Sequence, residues 1–339
     1  MKRTILLLSL ALAYLSCADH PRTRDNSGLY PIEQDGKWGY IDSEGKVVIQ
    51  PQFDGAATFS EGFAAIRLSN KYGFIDIEGK LVINPQVDRA GNFSDGLVTV
   101  RFGNRIGYFD QEGKIVVPPQ FDAAFDFSEY LARVRLGSKW GFIDTEGKII
   151  ITPQFENAGD FLDGLAPVRV GTKWGYIDIE GKVVINPQFE NAANFEGGLA
   201  AVKSGGKFGF IEHDGTMKIQ PAYENSGSFS EGLAPIRMAG RWGYIDKEAK
   251  VIVNPQFERA GKFIDGLAAV RVGVKSGYID KTGKLVIAPQ FDDGEDFLRG
   301  LARVRVQTKH GYIDQEGKYI WIPTDGAQKE EESTTPYHP

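Results

Sequence analysis

Nine acidic side chains recur at one place along this 339-residue chain: Asp42, Asp76, Asp110, Asp144, Asp178, Glu212, Asp246, Asp280 and Asp314. Carboxylates brought together in pairs could serve as general acid and base, as in glycoside hydrolysis. A different role fits the spacing better. Each lies in a string such as Asp76-Ile77-Glu78-Gly79-Lys80. An Asp opening a type I turn accepts a bond from the backbone two residues on, and a left-handed glycine closes the turn. Calcium is not suggested, because Asp42-Ser43-Glu44-Gly45 lacks the length and closing glutamate of a calcium loop. His20, His213, His310 and His338 are scattered, so neither a metal cluster nor a nucleophile–base pair is expected, and no cofactor motif is present. The expectation is a protein that is not an enzyme.

Three further columns could carry recognition. Arg67, Arg101, Arg135, Arg169, Lys203, Arg237, Arg271 and Arg305 form one basic row, and a second runs from Lys37 to Lys309 just before the aromatic column. Stacked basic rows could meet an acidic glycan, but equally regular acidic columns can neutralise them as cross-strand ion pairs. The aromatic column is Trp38, Tyr72, Trp140, Trp174, Phe208 and Trp242. Its rings could stack on sugars or pack between repeats. The candidate binding surface is therefore Trp38, Trp140, Trp174 and Trp242 with Arg135 and Arg169. Exposure of the tryptophans in one groove would favour a glycan, and burial would remove that reading. Net charge is −6 with both signs interleaved, which gives nucleic acid no electrostatic footing.

The elements that position these columns repeat with a fixed period. Gly39, Gly73, Gly107, Gly141, Gly175, Gly209, Gly243, Gly277 and Gly311 each follow the last by 34 residues. A period of this size means a stacked array. Helical hairpins of the same length are excluded by composition: 41 glycines and a proline in every unit do not sustain helices. In the second unit Phe63–Leu68 alternates as a half-buried strand, Ser69-Asn70 turns the chain, residues 72–76 form a second strand, and residues 81–83 a third that Pro85 ends. The second strand is apolar on both faces and should be the covered middle strand. Connectors such as residues 52–61 carry Phe59, Phe93, Phe127, Phe161, Phe195, Phe229, Phe263 and Phe297, which should pin them to the next unit. The expected fold is all-β, nine three-stranded antiparallel meanders in an open β-solenoid or superhelix. A closed propeller-like ring is the alternative. The open form is preferred because no unit is split between the chain ends, as closed propellers often require.

The string Lys173-Trp174-Gly175-Tyr176-Ile177-Asp178, with Gly181-Lys182-Val183-Val184-Ile185, Pro187-Gln188-Phe189, Phe195 and Gly198-Leu199-Ala200, resembles the bacterial WG (KWG) repeat family. The resemblance runs from Gly28 to Pro323. Departures are local: Ile106, Ser276 and His310 stand for the tryptophan, Tyr130 for a glycine, and Ala249 for the turn glycine. The resemblance implies an exported or envelope-associated β repeat with a role in interaction, and it supplies no catalytic motif.

Residues 1–16 place Lys2 and Arg3 before an apolar run from Ile5 to Leu15, the layout of an export signal. The single cysteine, Cys17, follows directly, and the segment resembles a bacterial lipoprotein signal in which Cys17 carries the lipid. Tyr14-Leu15-Ser16 lacks the usual leucine and small residue ahead of that cysteine, so an ordinary secretory signal is the alternative. The domain expectation is a signal over 1–16, a tether over 18–27, the repeat array over 28–323 and an acidic tail over 324–339. Expected partners are an envelope or host protein, a glycan as the second choice, and a membrane through the lipid anchor.

Overall fold

The computed structural model describes residues 27–323. The export signal, Cys17, most of the tether and the tail from 324 on lie outside the described residues. Every described regular element is a strand. The first sheet orders β1 (Tyr30–Gln34), β2 (Lys37–Ile41) and β3 (Val47–Phe53). The second orders β4 (Gly55–Ala56), β5 (Phe63–Leu68), β6 (Lys71–Asp76) and β7 (Leu81–Val87), all antiparallel. Seven more four-stranded sheets follow the same plan, ending with Asp293–Gly294 through Tyr319–Trp321.

Two local expectations change. The connector contains a two-residue strand, so eight of the nine sheets have four strands where three were expected. The third strand also continues past its proline. In β2 and β3 the pairs Trp38↔Phe53 and Tyr40↔Ile49 leave extra residues on β3, a bulge that contains Pro51. A bulge needs no ladder hydrogen bond from the proline nitrogen, so the strand survives it. The same bulge explains the marker glycine. A methyl group on Gly175 would overlap the Ile185 carbonyl oxygen and lie 2.7 Å from the Pro187 nitrogen.

The middle strand is covered on both faces, as its pattern requires. Tyr176 and Phe195 join Leu165, Ile185, Phe189, Ala200, Val202 and Ile211 in a core drawn from two successive sheets. Tyr40 meets Phe59 of the next sheet at 4.8 Å between ring centres, and its hydroxyl donates to the Ala57 carbonyl at 2.8 Å. Hydroxyl and carboxylate staples add to this packing. Ser60 donates to the Phe93 carbonyl at 2.7 Å, and both Glu61 oxygens accept backbone N–H bonds from Asp95 and Gly96 at 2.9 Å.

The open superhelix is overturned by the first and last sheets, which meet. Tyr30, Ile32 and Ile41 form one core with Leu301 and Tyr312. Tyr312 donates to the Pro31 carbonyl at 2.9 Å, Tyr30 donates to the Arg299 carbonyl at 2.8 Å, and the two rings lie 5.5 Å apart. Tyr312 thus turns its ring and hydroxyl toward the first sheet as Tyr40 turns its own toward the second, with Tyr30 in the place of the connector phenylalanine. The chain is a closed nine-bladed β-propeller. The missing split blade misled the phase argument because closure here rests on side-chain packing between whole blades and needs no exchanged strand.

Blade faces converge toward the short strands. The short strands of the last two blades bring Arg259 within 3.9 Å of Asp293. Lys262 of the eighth blade holds both carboxylate oxygens of Glu196 of the sixth, at 2.6 and 2.7 Å, reaching across the seventh. A bond that skips a blade is possible only near the axis, so the short strands and connectors line the inner side. The seven-residue strands lie at the rim.

Candidate functional site

The turn carboxylates are consumed by the backbone. Asp178 Oδ1 accepts N–H bonds from Glu180 at 3.1 Å and Lys182 at 2.9 Å, and Asp42, Asp76, Asp110, Asp144, Asp246, Asp280 and Asp314 do the same. In the sixth blade Glu212 is replaced in this role by Asp214, which accepts from Thr216 at 2.8 Å. The second basic row is matched by an acidic row. Lys37 pairs with Asp54, Lys71 with Asp88, Arg105 with Asp122, Lys139 with Glu156, Arg241 with Glu258 and Lys275 with Asp292. The lysine hydrogen bond holds the carboxyls of Asp54, Asp88 and Asp292 below the ordinary range.

The tryptophan row sits between blades. Trp140 is 9% exposed and belongs to a core with Phe142 and Phe161. Trp38, Trp174 and Trp242 are half-buried and pack against the equivalent cores. Arg135 stacks over Trp140 at 5.6 Å, and Arg169 stands opposite Trp174 in the strand register. The six residues of the expected surface therefore belong to four separate blades and form no continuous exposed groove.

Two cavities adjoin one loop instead, Phe195-Glu196-Gly197-Gly198. The inner one, about 470 Å³, draws its walls from the fourth to eighth blades, with Arg133, Asn157, Asp160, Trp174, Asn194, Glu196, Ser228 and Lys262 among them. The other, about 510 Å³, is an open cleft between the sixth and seventh blades, bordered by His213, Lys218 and Lys247. There His213 stacks on Phe195 at 4.2 Å.

The inner walls come from positions where the repeat is heterogeneous. The residue before the connector phenylalanine is Thr58, Asn92, Asp126, Asp160, Asn194, Ser228, Lys262 or Asp296. The position facing it from the preceding blade is Pro31, Ala65, Thr99, Arg133, Pro167, Ala201, Pro235 or Ala269, and Arg303 holds that position in the last blade. Arg133 pairs with Asp160 at 2.7 Å, and Thr99 donates to Asp126 at 3.0 Å. Burial pushes the carboxyls of Asp126, Asp296 and Glu295 up. Reading the columns for regularity favoured the framework. The useful signal was the reverse: two columns that change from blade to blade while their neighbours stay fixed.

A WG containing repeat matches residues 38–72, 72–105, 106–140, 140–174, 174–208, 208–242, 242–275 and 277–307. The chain belongs to the WG-repeat family. No curated protein matches this WG-repeat chain. Among solved structures it is similar to a eukaryotic initiation factor, at 11% identity and a TM-score of 0.63, over 87% of this chain and 95% of that one. It also aligns with the dihydro-heme d1 dehydrogenase NirN, at 14% identity and a TM-score of 0.49, over 92% of this chain and 76% of that one. Kluyveromyces lactis Hsv2p aligns at 10% identity and 0.43, over 66% and 91%. At such identities the likeness to the initiation factor concerns the fold alone, and the two lower scores carry no argument.

Proposed function

We propose that this WG-repeat propeller is a non-enzymatic binding scaffold, exported and held at the cell envelope, whose rim engages protein partners. The observation that carries this is an apolar belt on the outer strands. Leu81 and Val82, Ile149 and Ile150, Val183 and Val184, and Leu285 and Val286 are all exposed, and Val48, Ile115 and Val251 extend the pattern. Neighbouring strand residues point to opposite faces, so each outer edge is apolar on both sides. A repeated apolar surface of this kind, beside the free edge of a strand, suits partner proteins. The sixth blade interrupts the belt with Met217-Lys218. The address rests on the sequence: the basic start, the apolar run and Cys17.

The test is a pull-down with residues 18–339 immobilised against solubilised envelope proteins. A discrete protein retained in stoichiometric amount, and lost with Ile150→Lys and Val184→Lys, is the expected result. Retention unchanged by both substitutions would move the partner site off the rim. Labelling with a fatty-acid analogue that disappears in Cys17→Ser would support the anchor, and equal labelling of both chains would refute it.

A further inference from the structure

We propose that the inner cavity between the fourth and eighth blades binds a neutral saccharide, contacted by Asn157, Asn194, Ser228 and Trp174. This rests on the binding role proposed above but concerns a different surface, the axis rather than the rim. The loop Phe195–Gly198 marks the place. Elsewhere the residue after the phenylalanine is Ser60, Ser94, Ser128 or Ser230, each donating to the next blade's phenylalanine carbonyl, or an apolar Leu162, Ile264 or Leu298. Only Glu196 is charged there. The next position holds Glu61, Glu129 or Glu231 in blades where the carboxylate accepts N–H bonds from the following blade, but here it is Gly197. Both framework contacts are absent at this loop, as they are at Leu298-Arg299, and here both cavities open beside it. Glu196 reaches Lys262 instead, which is itself the single cation in its column.

The chemistry of the walls selects the ligand class. Each cation on the wall is already held by an anion, Arg133 by Asp160 and Lys262 by Glu196, so the cavity is electrically balanced. A charged ligand would have to compete with one of these pairs, whose side chains are 18–35% exposed, and leave its partner without a counter-charge. What the ion pairs leave are the Asn194 amide, the Asn157 NH2 group, the Ser228 hydroxyl and the Trp174 indole, since Asn157 Oδ1 accepts the Ala158 N–H at 2.9 Å. An amide presents a donor and an acceptor side by side, which suits a sugar hydroxyl that is both. An indole supplies apolar surface for the C–H face of a pyranose. The volume, about 470 Å³, lies in the range of small-molecule sites.

The test uses residues 18–339 on an array of neutral and N-acetylated oligosaccharides, with calorimetric titration of the best member. Sialylated and uronic-acid glycans serve as the charged arm, and purified wall polysaccharide separates a polymer-borne sugar from a free oligosaccharide. The expected result is binding of a neutral glycan that weakens at least tenfold in Asn194→Ala and in Ser228→Ala. Val274→Ala, at an exposed turn of the eighth blade that does not line the cavity, should bind as the parent does. Both polar variants sit on the cavity wall outside the buried cores, so they should keep the parent's melting temperature. Retention of charged glycans alone, no retention of any sugar, or binding that survives both substitutions would overturn the proposal. Capture of a protein at the rim together with no glycan binding would sink this inference and leave the scaffold reading standing.

Discussion

If the propeller is closed, its seam should behave like any internal junction, and one hydroxyl tests this. Tyr312 donates across the seam to the Pro31 carbonyl at 2.9 Å, and Tyr244 donates across an internal junction to the Gly261 carbonyl at 2.9 Å. Both rings are buried, at 5% and 0% exposure. Replacing either tyrosine by phenylalanine deletes one hydrogen bond and leaves a shielded carbonyl without that donor, which costs about 1–2 kcal/mol. Removing the ring as well, as alanine, costs about 3–5 kcal/mol through lost burial and the cavity left behind. The assay is equilibrium urea unfolding followed by tryptophan fluorescence and far-ultraviolet circular dichroism. Tyr312→Phe and Tyr244→Phe should lower stability by similar amounts, and Tyr312→Ala by clearly more than Tyr312→Phe. In an open array Tyr312 would face water at a terminal unit. A Tyr312→Phe protein as stable as the parent, beside a Tyr244→Phe protein that has lost the expected amount, would refute closure.

Three further perturbations probe the framework. Gly175→Ala should cost about 3 kcal/mol or more, because its methyl group meets backbone atoms of the bulged strand that cannot rotate away; a melting temperature within a degree of the parent's would contradict the bulge as the reason for the marker glycine. Ala249 has φ 63°, the left-handed conformation that glycine adopts at the equivalent Gly181 and Gly283, so Ala249→Gly should stabilise by about 1 kcal/mol, measured by chemical denaturation. The pH profile should have two limbs. Burial raises the carboxyls of Asp126, Glu295 and Asp296, so their folded forms gain stability as they take up protons on acidification toward the unfolded value of 3.8 for Asp or 4.5 for Glu. Asp54, Asp88 and Asp292 are lowered by their lysines, so their contribution is present above 3.8 and is lost as pH falls through their folded values. Stability should therefore peak on the mildly acidic side, and Asp126→Asn should flatten the rising limb; an unchanged limb in that variant would show that Asp126 titrates normally.

Most of the local structure was legible because it is repeated. A 34-residue period, an alternating strand, a turn opened by Asp and closed by glycine, and an aromatic middle strand each impose one local geometry, so nine copies of the same residues give nine copies of the same blade. The placement of Phe59 and its equivalents against the next blade was legible for the same reason, since so much apolar surface has only a neighbouring unit to bury it. Three things depended on tertiary structure. The strand that continues past Pro51 depends on a bulge, which no propensity predicts from the proline alone. Closure depends on the small rotation between successive blades, summed nine times until Tyr30 meets Tyr312, and a sequence encodes that rotation only through packing. The inner cavity depends on which columns converge at the axis. Arg133 and Asp160 are 27 residues apart and Glu196 and Lys262 are 66 apart. Stacking of adjacent blades joins the first pair, and only the curvature of the ring makes the second pair neighbours.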